Sequence, residues 1–317
     1  MASIHVRPLR DNLPFGARIS GVARENLQDE QIRQRIRDVF EERGIIVFEE
    51  IEPSSEMQVE LSNVFGPLKD HPVRTVARVD QKAMPGVIEM KPDPKTAAIV
   101  EIEGRRLMSW QPWHFDHCYN NELNRAGVLR SVVTPPEGGL TGFADGIELY
   151  TAISPTLRKK IEGRHIIYTL DLLYAHMRFG IPRNFREVQP PVTDILEVAK
   201  TMPRAIHPAV WTRKSGEKVL HLSPWMAVGI EGDETREGDE LLEAVCQEIL
   251  SKLHAYYHRW QPTDMIVWDN WRMLHKAMGV DPGLSRTMHR TTIKGDYGLG
   301  YWENHVKGPA ASVKEMM

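Results

Sequence analysis

The chain has 317 residues, of which 41% are hydrophobic and 26% are charged; this composition excludes a disordered chain and fits a globular protein with a substantial core. Its 40 basic and 43 acidic residues give a net charge of −3, which excludes a strongly basic chain and does not favour nucleic acid or an anionic membrane as partner. We therefore expect a small-molecule partner, with no nucleic acid and no membrane.

The first third of the chain predicts short strands and two helices. Residues 4–22 are extended in character, and residues 45–48 predict a buried strand. Between them, apolar residues recur at helical spacing from Ile32 to Phe40, and Gly44 ends this helix.

A second helix is predicted to begin at a capping box formed by Ser55 and Gln58, and to end at Gly66. Residues 67–104 are interrupted by prolines and hold no period, so loops with short strands are predicted there. Residues 128–133 predict another strand.

Residues 170–208 carry few regular signals and form either a lid over the core or a plain surface insertion. The other predicted elements are a short helix at 156–162, a hairpin around 215–216, a long amphipathic helix at 241–253, and strands at 264–269 and 287–294. Many short strands with few helices predict a mainly β, α+β chain with a jelly-roll core and helical additions. No linker divides the chain, so residues 1–317 are expected to form a single domain.

Two cysteines and the N-terminus indicate the compartment. The N-terminus lacks the apolar stretch of a secretory signal, and no apolar run reaches the ~18 residues that span a bilayer. We expect a cytoplasmic protein without disulfide bonds. Cys118 is either a soft metal ligand or, as we favour, a buried thiol that packs as a small hydrophobic group.

The sequence His114-Phe115-Asp116 provides two candidate metal ligands. On an extended strand, residues 114 and 116 point to the same side, so an imidazole and a carboxylate can hold one ion. Taken alone, the pair also fits two strand residues bonded to the backbone. His275 is the candidate third ligand, and two imidazoles with one carboxylate on one face of an octahedron leave positions open, as in non-haem Fe(II) oxygenases.

Further motifs follow in order: Gly138-Gly139-Leu140-Thr141, then Trp268-Asp269-Asn270 before His275, then Arg286 and Arg290. With His114-Phe115-Asp116, they resemble the TauD/TfdA family of Fe(II)- and 2-oxoglutarate-dependent dioxygenases. The resemblance extends from residues 15–21 to residues 295–296, which is nearly the whole chain.

This resemblance implies a double-stranded β-helix with His114, Asp116 and His275 as iron ligands. It also implies that Arg290 pairs with the distal carboxylate of 2-oxoglutarate and that Thr141 hydrogen-bonds the same group, with dioxygen as the second co-substrate. A guanidinium fork matches a carboxylate, which agrees with this role. The alternative for Arg290 is a surface arginine on a final strand.

Four residues are predicted to contact the prime substrate. Arg286 shares a strand face with Arg290, and the resemblance places it where some relatives hold an acidic group of the substrate. His71 matches a position near the substrate anion, or else caps a turn before a proline. Trp110 and Phe115 stand where relatives carry a polar and a small residue, which makes taurine doubtful and favours a larger, more apolar substrate.

We therefore expect a dioxygenase that hydroxylates a small organic anion with an apolar body. The candidates are an aryloxy acid, an alkyl sulfate or sulfonate, or another carboxylate, with C–O or C–S cleavage if the hydroxylated carbon bears such a leaving group. Two alternatives remain: a zinc-dependent hydrolase with the same ligands, and a non-catalytic, ligand-binding jelly-roll protein. Relatives in this family often assemble, so a homodimer or homotetramer is expected.

Overall fold

The computed structural model describes residues 3–69, 76–80 and 82–304. The expectation of one domain over residues 1–317 stays a prediction, because the described residues end at 304. The helices in these ranges are α1 (Glu30–Arg43), α2 (Ser55–Phe65), α3 (Gly146–Ala152), α4 (Pro155–Ile161), α5 (Ile195–Ala199) and α6 (Arg236–Lys252).

Most strands in the same ranges are short. They are β1 (His5–Pro8), β2 (Ala17–Ser20), β3 (Ile45–Phe48), β4 (Arg78–Asp80), β5 (Met84–Met90), β6 (Ile99–Ile102), β7 (Arg105–His114), β8 (Ala126–Val133), β9 (Thr141–Asp145) and β10 (His165–Tyr168). The second half of the chain adds β11 (Phe185–Gln189), β12 (Ala205–Pro208), β13 (Val210–Thr212), β14 (Lys218–Leu220), β15 (Ala227–Ile230), β16 (Tyr256–His258), β17 (Met265–Asp269), β18 (Met273–Val280), β19 (Thr287–Ile293) and β20 (Tyr301–Trp302).

Two large sheets form the centre of the molecule. In the described part of the chain, one sheet has the order β1-β2-β3-β17-β8-β19-β5-β4 and the other has the order β11-β6-β7-β18-β9-β16. A smaller sheet, β15-β10-β12-β20, and the hairpin β13-β14 complete the strand pairing. Neighbouring strands come from distant parts of the chain, as when β18 lies between β7 and β9. The predicted mainly β, α+β jelly roll with helical additions is confirmed.

Three apolar cores hold these layers together. Trp268 and Phe143 belong to the core between the two large sheets. Ile36 and Leu61 bury the apolar faces of α1 and α2 against the outer side of the eight-stranded sheet. Leu242 of α6 belongs to the third core, between the outer side of the six-stranded sheet and the smaller sheet. The helices therefore cover the jelly roll, and their buried apolar faces stabilise it.

Gly44 ends α1 as predicted, whereas its N-cap, Asp29, was not singled out from the sequence. The Asp29 side chain accepts a hydrogen bond from the Gln31 N–H at 2.8 Å, and Gly44 ends the helix at φ 76°. The predicted capping box of α2 is wrong, because Ser54 is the cap: its Oγ accepts from the Met57 N–H at 3.0 Å.

Gln58 has a different role from the predicted cap. Its side chain is fully buried, and its Nε2 donates to the carbonyl oxygens of Val128 at 3.0 Å and His289 at 3.1 Å. Gln58 therefore joins α2 to β8 and β19, because those buried carbonyl groups need donors.

Regular structure is more extensive than predicted between residues 170 and 208. The segment holds a 3₁₀ turn at Tyr174–His176, α5, and strands β11 and β12. Strand β11 extends the six-stranded sheet by pairing with β6. His275 lies on β18, whereas the sequence predicted strands only on either side of it.

Cys118 and Cys246 are both buried free thiols, in agreement with the expected lack of disulfide bonds. Among the helices of the described residues, none has the length and apolar character needed to cross a bilayer.

Candidate active site

His114, Asp116 and His275 meet in one buried cluster. His114 is the last residue of β7, Asp116 follows in a turn, and His275 on β18 pairs directly opposite His114. One ligand atom from each residue lies within 4.8 Å of the other two. The sheet pairing therefore brings together three donor groups that are far apart in the sequence.

The imidazole of His114 is held in one orientation. Its Nδ1 lies 2.7 Å from the carbonyl oxygen of Pro112, which can only accept, so Nδ1 carries the proton. The unprotonated Nε2 then faces Asp116 Oδ1 at 4.0 Å, and His275 Nε2 lies 3.6 Å from the same oxygen. The free nitrogen of His114 is therefore available to a metal ion.

Electrostatics favours the ligand forms of all three groups. Burial lowers the pKa of His114, and burial together with the His114 imidazole lowers the pKa of His275 well below its ordinary value. Burial acts to raise the pKa of Asp116, but Arg290, His275 and His114 outweigh it, so this pKa lies below its ordinary value. Neutral imidazoles and an ionised carboxylate are the forms that bind metal.

A cavity of about 470 Å³ adjoins this cluster, and Thr141, Arg286 and Arg290 also line it. Arg290 Nη2 donates to Asp116 Oδ2 at 2.6 Å, and its guanidinium lies over the Trp268 ring. This arginine therefore lies directly against the candidate metal ligands.

Arg286 has different surroundings. Its side chain is buried, and burial lowers its pKa to about 10. A Cβ at Gly139 would lie 3.4 Å from Arg286 Cδ, which places the arginine next to the loop before Thr141. No hydrogen bond or ion pair joins the Arg286 side chain to another of the described residues. A buried cation without an anionic partner is costly, which indicates a ligand that supplies the anion.

The Thr141 hydroxyl is also held in place. Trp260 donates its indole N–H to Thr141 Oγ1 at 3.0 Å, across 119 residues of sequence. Because the hydroxyl oxygen accepts this bond, its own hydrogen is left for an acceptor in the cavity.

Comparison with known proteins agrees with the geometry. The family model "Taurine catabolism dioxygenase TauD, TfdA family" matches residues 5–292. The chain belongs to the TauD/TfdA family. It is therefore an oxidoreductase, a dioxygenase that uses Fe(II) and 2-oxoglutarate, and the alternatives of a zinc hydrolase and a non-catalytic binding protein are set aside.

Individual members of the family resemble the chain at low identity. The alpha-ketoglutarate-dependent 2,4-dichlorophenoxyacetate dioxygenase of Cupriavidus pinatubonensis is 26% identical over 278 residues, which cover 86% of this chain and 92% of that protein. The alpha-ketoglutarate-dependent sulfate ester dioxygenase of Pseudomonas putida is 25% identical over 207 residues, covering 65% of this chain and 66% of that protein. These relatives act on small organic molecules.

A solved structure supports the fold assignment. The crystal structure of a taurine dioxygenase from Burkholderia xenovorans matches with a TM-score of 0.67 at 23% identity, covering 93% of this chain and 92% of that chain. At this identity the likeness shows the fold alone.

Trp110, which was predicted from the sequence to contact the substrate, does not line the cavity of this chain. Three residues of β18, from His275 to Ala277, oppose four residues of β7, from Gln111 to His114, so β7 contains a bulge. The bulge reverses the alternation of side chains: Gln111 lines the cavity, and the Trp110 ring packs against Tyr174 instead.

Phe115 and His71 complete the set of predicted contacts. Phe115 lies in the cavity wall, but its ring stacks on His221 with centroids 3.9 Å apart, inside the protein core. His71 lies outside the described residues. Cys118 also lies in the cavity wall, and burial raises the pKa of its thiol, which favours the packing role over the ligand role.

Most apolar residues of the cavity were not singled out from the sequence. They include Leu129, Leu170, Leu172, Tyr174, Ile195, Trp225 and Met226. The segment 170–208 contributes Leu170, Leu172, Tyr174 and Ile195. Its lack of helical or strand periodicity was the available sign in the sequence that it could cover the cavity. Lys91, also in the lining, had no signal beyond its position among prolines.

Proposed function

We propose that the chain hydroxylates a small organic anion with an apolar body, using Fe(II), 2-oxoglutarate and dioxygen. The observation that carries this proposal is the presence of two arginines in one cavity with the metal-ligand cluster. Arg290 lies against Asp116, and Arg286 is buried without a partner among the described residues. Two guanidinium groups suit two anionic ligands, the keto acid and the prime substrate.

In this proposal His114, Asp116 and His275 hold the iron. The donor set fits, because the three ligand atoms converge and the Pro112 carbonyl leaves His114 Nε2 unprotonated. When bound, the metal and the keto acid supply oxidation of a C–H bond by dioxygen, with decarboxylation of 2-oxoglutarate to succinate. The residues of the chain ligate, orient and exclude water from the reacting groups.

The surroundings of the two arginines favour an exchange of the roles predicted from the sequence. The keto-acid end of 2-oxoglutarate binds at the metal, so its distal carboxylate lies at the far end of the molecule. Arg290 contacts Asp116 at the metal side, whereas Arg286 lies beside Gly139 in the loop before Thr141. We therefore assign the distal carboxylate to Arg286 with Thr141, and the anion of the prime substrate to Arg290.

The charge of the cavity supports an anionic substrate. Among the described residues that line it, Lys91, Arg286 and Arg290 are cationic and Asp116 is anionic. The charges of Fe(II) and of the 2-oxoglutarate dianion cancel, so an excess of positive charge remains after both have bound. An anionic substrate reduces this excess in a site where charges are poorly screened.

The apolar lining supports a substrate with an apolar body. Tyr174 directs its hydroxyl away from the cavity, since it donates to the Trp110 carbonyl oxygen at 2.6 Å, and thus presents its ring. Burying apolar surface contributes roughly 25 cal/mol per Å². The named relatives act on an aryloxy acid and on sulfate esters, and both classes combine an anion with an organic body.

The test is a substrate screen with the Fe(II)-loaded protein, 2-oxoglutarate and dioxygen. Phenoxyacetate, 2-phenoxypropionate, hexyl sulfate and taurine are compared with the neutral methyl ester of phenoxyacetate. Succinate release and oxygen uptake are measured, and turnover without substrate is subtracted. We expect stimulation by an anion with an apolar body and none by the neutral ester. If the carbon that is hydroxylated bears an ether or sulfate oxygen, an aldehyde or keto product also forms by bond cleavage.

Equal turnover of the ester and its acid would refute the charged-substrate proposal. A protein that binds Fe(II) but releases no succinate with or without any of these compounds would contradict the proposed activity itself.

A further inference from the structure

Asn270 makes contacts that the proposed reaction does not explain. It follows β17, and its side chain is fully buried. Its Oδ1 accepts from the Asp116 N–H at 2.7 Å, and its Nδ2 donates to the Asp116 carbonyl oxygen at 3.1 Å. One side chain thus binds both backbone polar groups of a candidate metal ligand that lies 154 residues away.

These contacts replace a missing strand neighbour. Strand β7 ends at His114, so the backbone of Asp116 no longer pairs with a strand. Buried backbone N–H and C=O groups need partners, and a carboxamide offers a donor and an acceptor side by side. The Asn270 carboxamide therefore takes the place of a neighbouring strand, because it binds both backbone polar groups of Asp116.

Asn270 is itself firmly anchored. Its N–H donates to the Arg125 carbonyl oxygen at 3.0 Å, and its own carbonyl oxygen lies 2.8 Å from His221 Nε2. Its Nδ2 also lies 3.2 Å from Asn124 Oδ1. A side chain fixed at both its backbone and its amide can hold another residue in place.

We propose that Asn270 is a positioning residue of the metal centre, which fixes the Asp116 carboxylate relative to His275. Asn270 lies in the turn that joins β17 to β18, so the segment that leads to His275 also holds Asp116. This inference rests on the proposed ligand role of Asp116. When the carboxamide is lost, the turn that holds Asp116 can move, and the distance between the Asp116 carboxylate and the His275 imidazole is no longer fixed.

The substitution N270D tests this idea with almost no change in size. A carboxylate can still accept from the Asp116 N–H, but its second oxygen cannot donate to the Asp116 carbonyl. We expect the affinity for Mn(II) to fall by roughly 10- to 100-fold, as for other residues that support metal ligands. The added negative charge by itself attracts a cation, so a loss of affinity reports geometry and not charge.

Asn26 provides a matched control. Its Oδ1 accepts from the Ala23 N–H at 2.9 Å, and its Nδ2 donates to the Gly21 carbonyl oxygen at 2.7 Å, near the N-terminus. N26D therefore breaks the same kind of buried carboxamide bridge outside the cavity. We expect N26D to lower the melting temperature and to leave Mn(II) affinity as in the original protein.

Mn(II) binding to the metal-free, full-length variants is measured by electron paramagnetic resonance, together with thermal unfolding. N270A, which adds no charge, is measured alongside and is expected to show the same loss of Mn(II) affinity. It serves as the test variant if N270D does not fold. Mn(II) affinity of the folded Asn270 variants equal to that of N26D would overturn the inference. His275→Ala is the reference for the proposed function: if it binds Mn(II) as tightly as the original protein, the metal site itself is misassigned.

Discussion

Arg286 and Arg290 lie four residues apart, yet only Arg290 has a protein partner among the described residues. The sequence placed both arginines on one strand face, and the family resemblance assigned Arg290 to 2-oxoglutarate and Arg286 to the substrate anion. The contacts separate them, because Arg290 already pairs with Asp116, while the buried Arg286 side chain lies next to Gly139 without an anionic partner among the described residues. In our proposal 2-oxoglutarate, which every turnover requires, supplies the anion for this buried cation.

We expect Arg286→Gln to weaken 2-oxoglutarate binding by roughly tenfold to hundredfold, because a charged hydrogen bond of about 1.5–3 kcal/mol is lost. Arg290→Gln is expected to retain most of this affinity and to raise the KM of the anionic substrate instead. Binding of 2-oxoglutarate is measured by calorimetry in the absence of oxygen with Mn(II) bound. Metal affinity is measured in parallel, because Arg290 contacts Asp116. If Arg290→Gln is the variant that loses 2-oxoglutarate, the assignment made from the sequence is correct and the exchange of roles fails.

At the scale of elements, the segment 170–208 is tied to the rest of the cavity at defined points. Glu187 on β11 accepts from the N–H groups of Tyr174 at 3.2 Å and Ala175 at 3.0 Å. Gln189 donates to the carbonyl oxygens of Pro94 and Ala97, next to the cavity wall. One carboxylate therefore holds the 3₁₀ turn that brings the Tyr174 ring to the cavity. Whether this segment moves as a lid stays a prediction.

Replacement of Glu187 by alanine is expected to release that turn. Hydrogen–deuterium exchange of the amides of Tyr174 and Ala175 rises, because both lose their acceptor. The KM of the best substrate from the screen is expected to rise by roughly tenfold, since hydrogen bonds to a carboxylate contribute about 1.5–3 kcal/mol.

Arg186→Ala serves as the control on the same strand. Arg186 forms an exposed ion pair with Glu101 at 3.1 Å and makes no contact with the turn. It is expected to alter neither exchange nor KM, in line with the small contribution of exposed pairs. Unchanged amide exchange in Glu187→Ala would contradict the anchoring role of the carboxylate.

At the scale of the whole molecule, local patterns in the sequence predicted helices and strands better than they predicted which residues lie in contact. Helical spacing located α1, and a glycine with positive φ ended it where expected. The cluster of His114, Asp116 and His275 was also predicted, because residue type and spacing restrict metal ligands strongly. The jelly roll followed from many short strands and from family resemblance.

The failures have physical causes that lie outside local patterns. Trp110 was predicted from the family resemblance, and a bulge between Gln111 and His114 turns its side chain away from the cavity. Ser54 and Ser55 are adjacent hydroxyl residues, and only the backbone angles decide which one caps α2. The resemblance assigned 2-oxoglutarate to Arg290 and the substrate anion to Arg286. The contacts behind our proposed exchange join residues that are distant in sequence, so no local pattern could have indicated it.

The pH dependence of stability is another property of the whole fold. His207 and His221 are fully buried, and burial lowers their pKa values to about 4 and about 3 from an ordinary value of 6.5. At a pH between each folded-state pKa and the ordinary value of 6.5, the unfolded chain binds more protons than the folded chain. The stability contributed by the neutral imidazoles is therefore complete above pH 6.5 and is lost as the pH falls towards the folded-state values.

His207→Gln is expected to make this dependence shallower. A glutamine retains an N–H near the position of His207 Nε2, which lies 2.7 Å from the Asn120 carbonyl oxygen, but it does not titrate. For His207, the shift from 6.5 to about 4 corresponds to about 3 kcal/mol of unfolding free energy between neutral pH and pH 4. Urea unfolding at a series of pH values measures it, with His254→Gln as the same change at an exposed histidine. Equal slopes in both variants would refute this account.

Strand pairing places the imidazoles of His114 and His275 opposite each other. Because backbone hydrogen bonds of the sheet hold the two histidines together, we expect a chelator to remove the ion reversibly and leave the protein folded. The ligand cluster cannot choose its ion by shape alone, because affinity for imidazole and carboxylate donors rises from manganese through iron towards copper. The ion bound in a cell then depends on the supply of each metal. We expect a fraction of the protein to hold a competing ion and to be inactive.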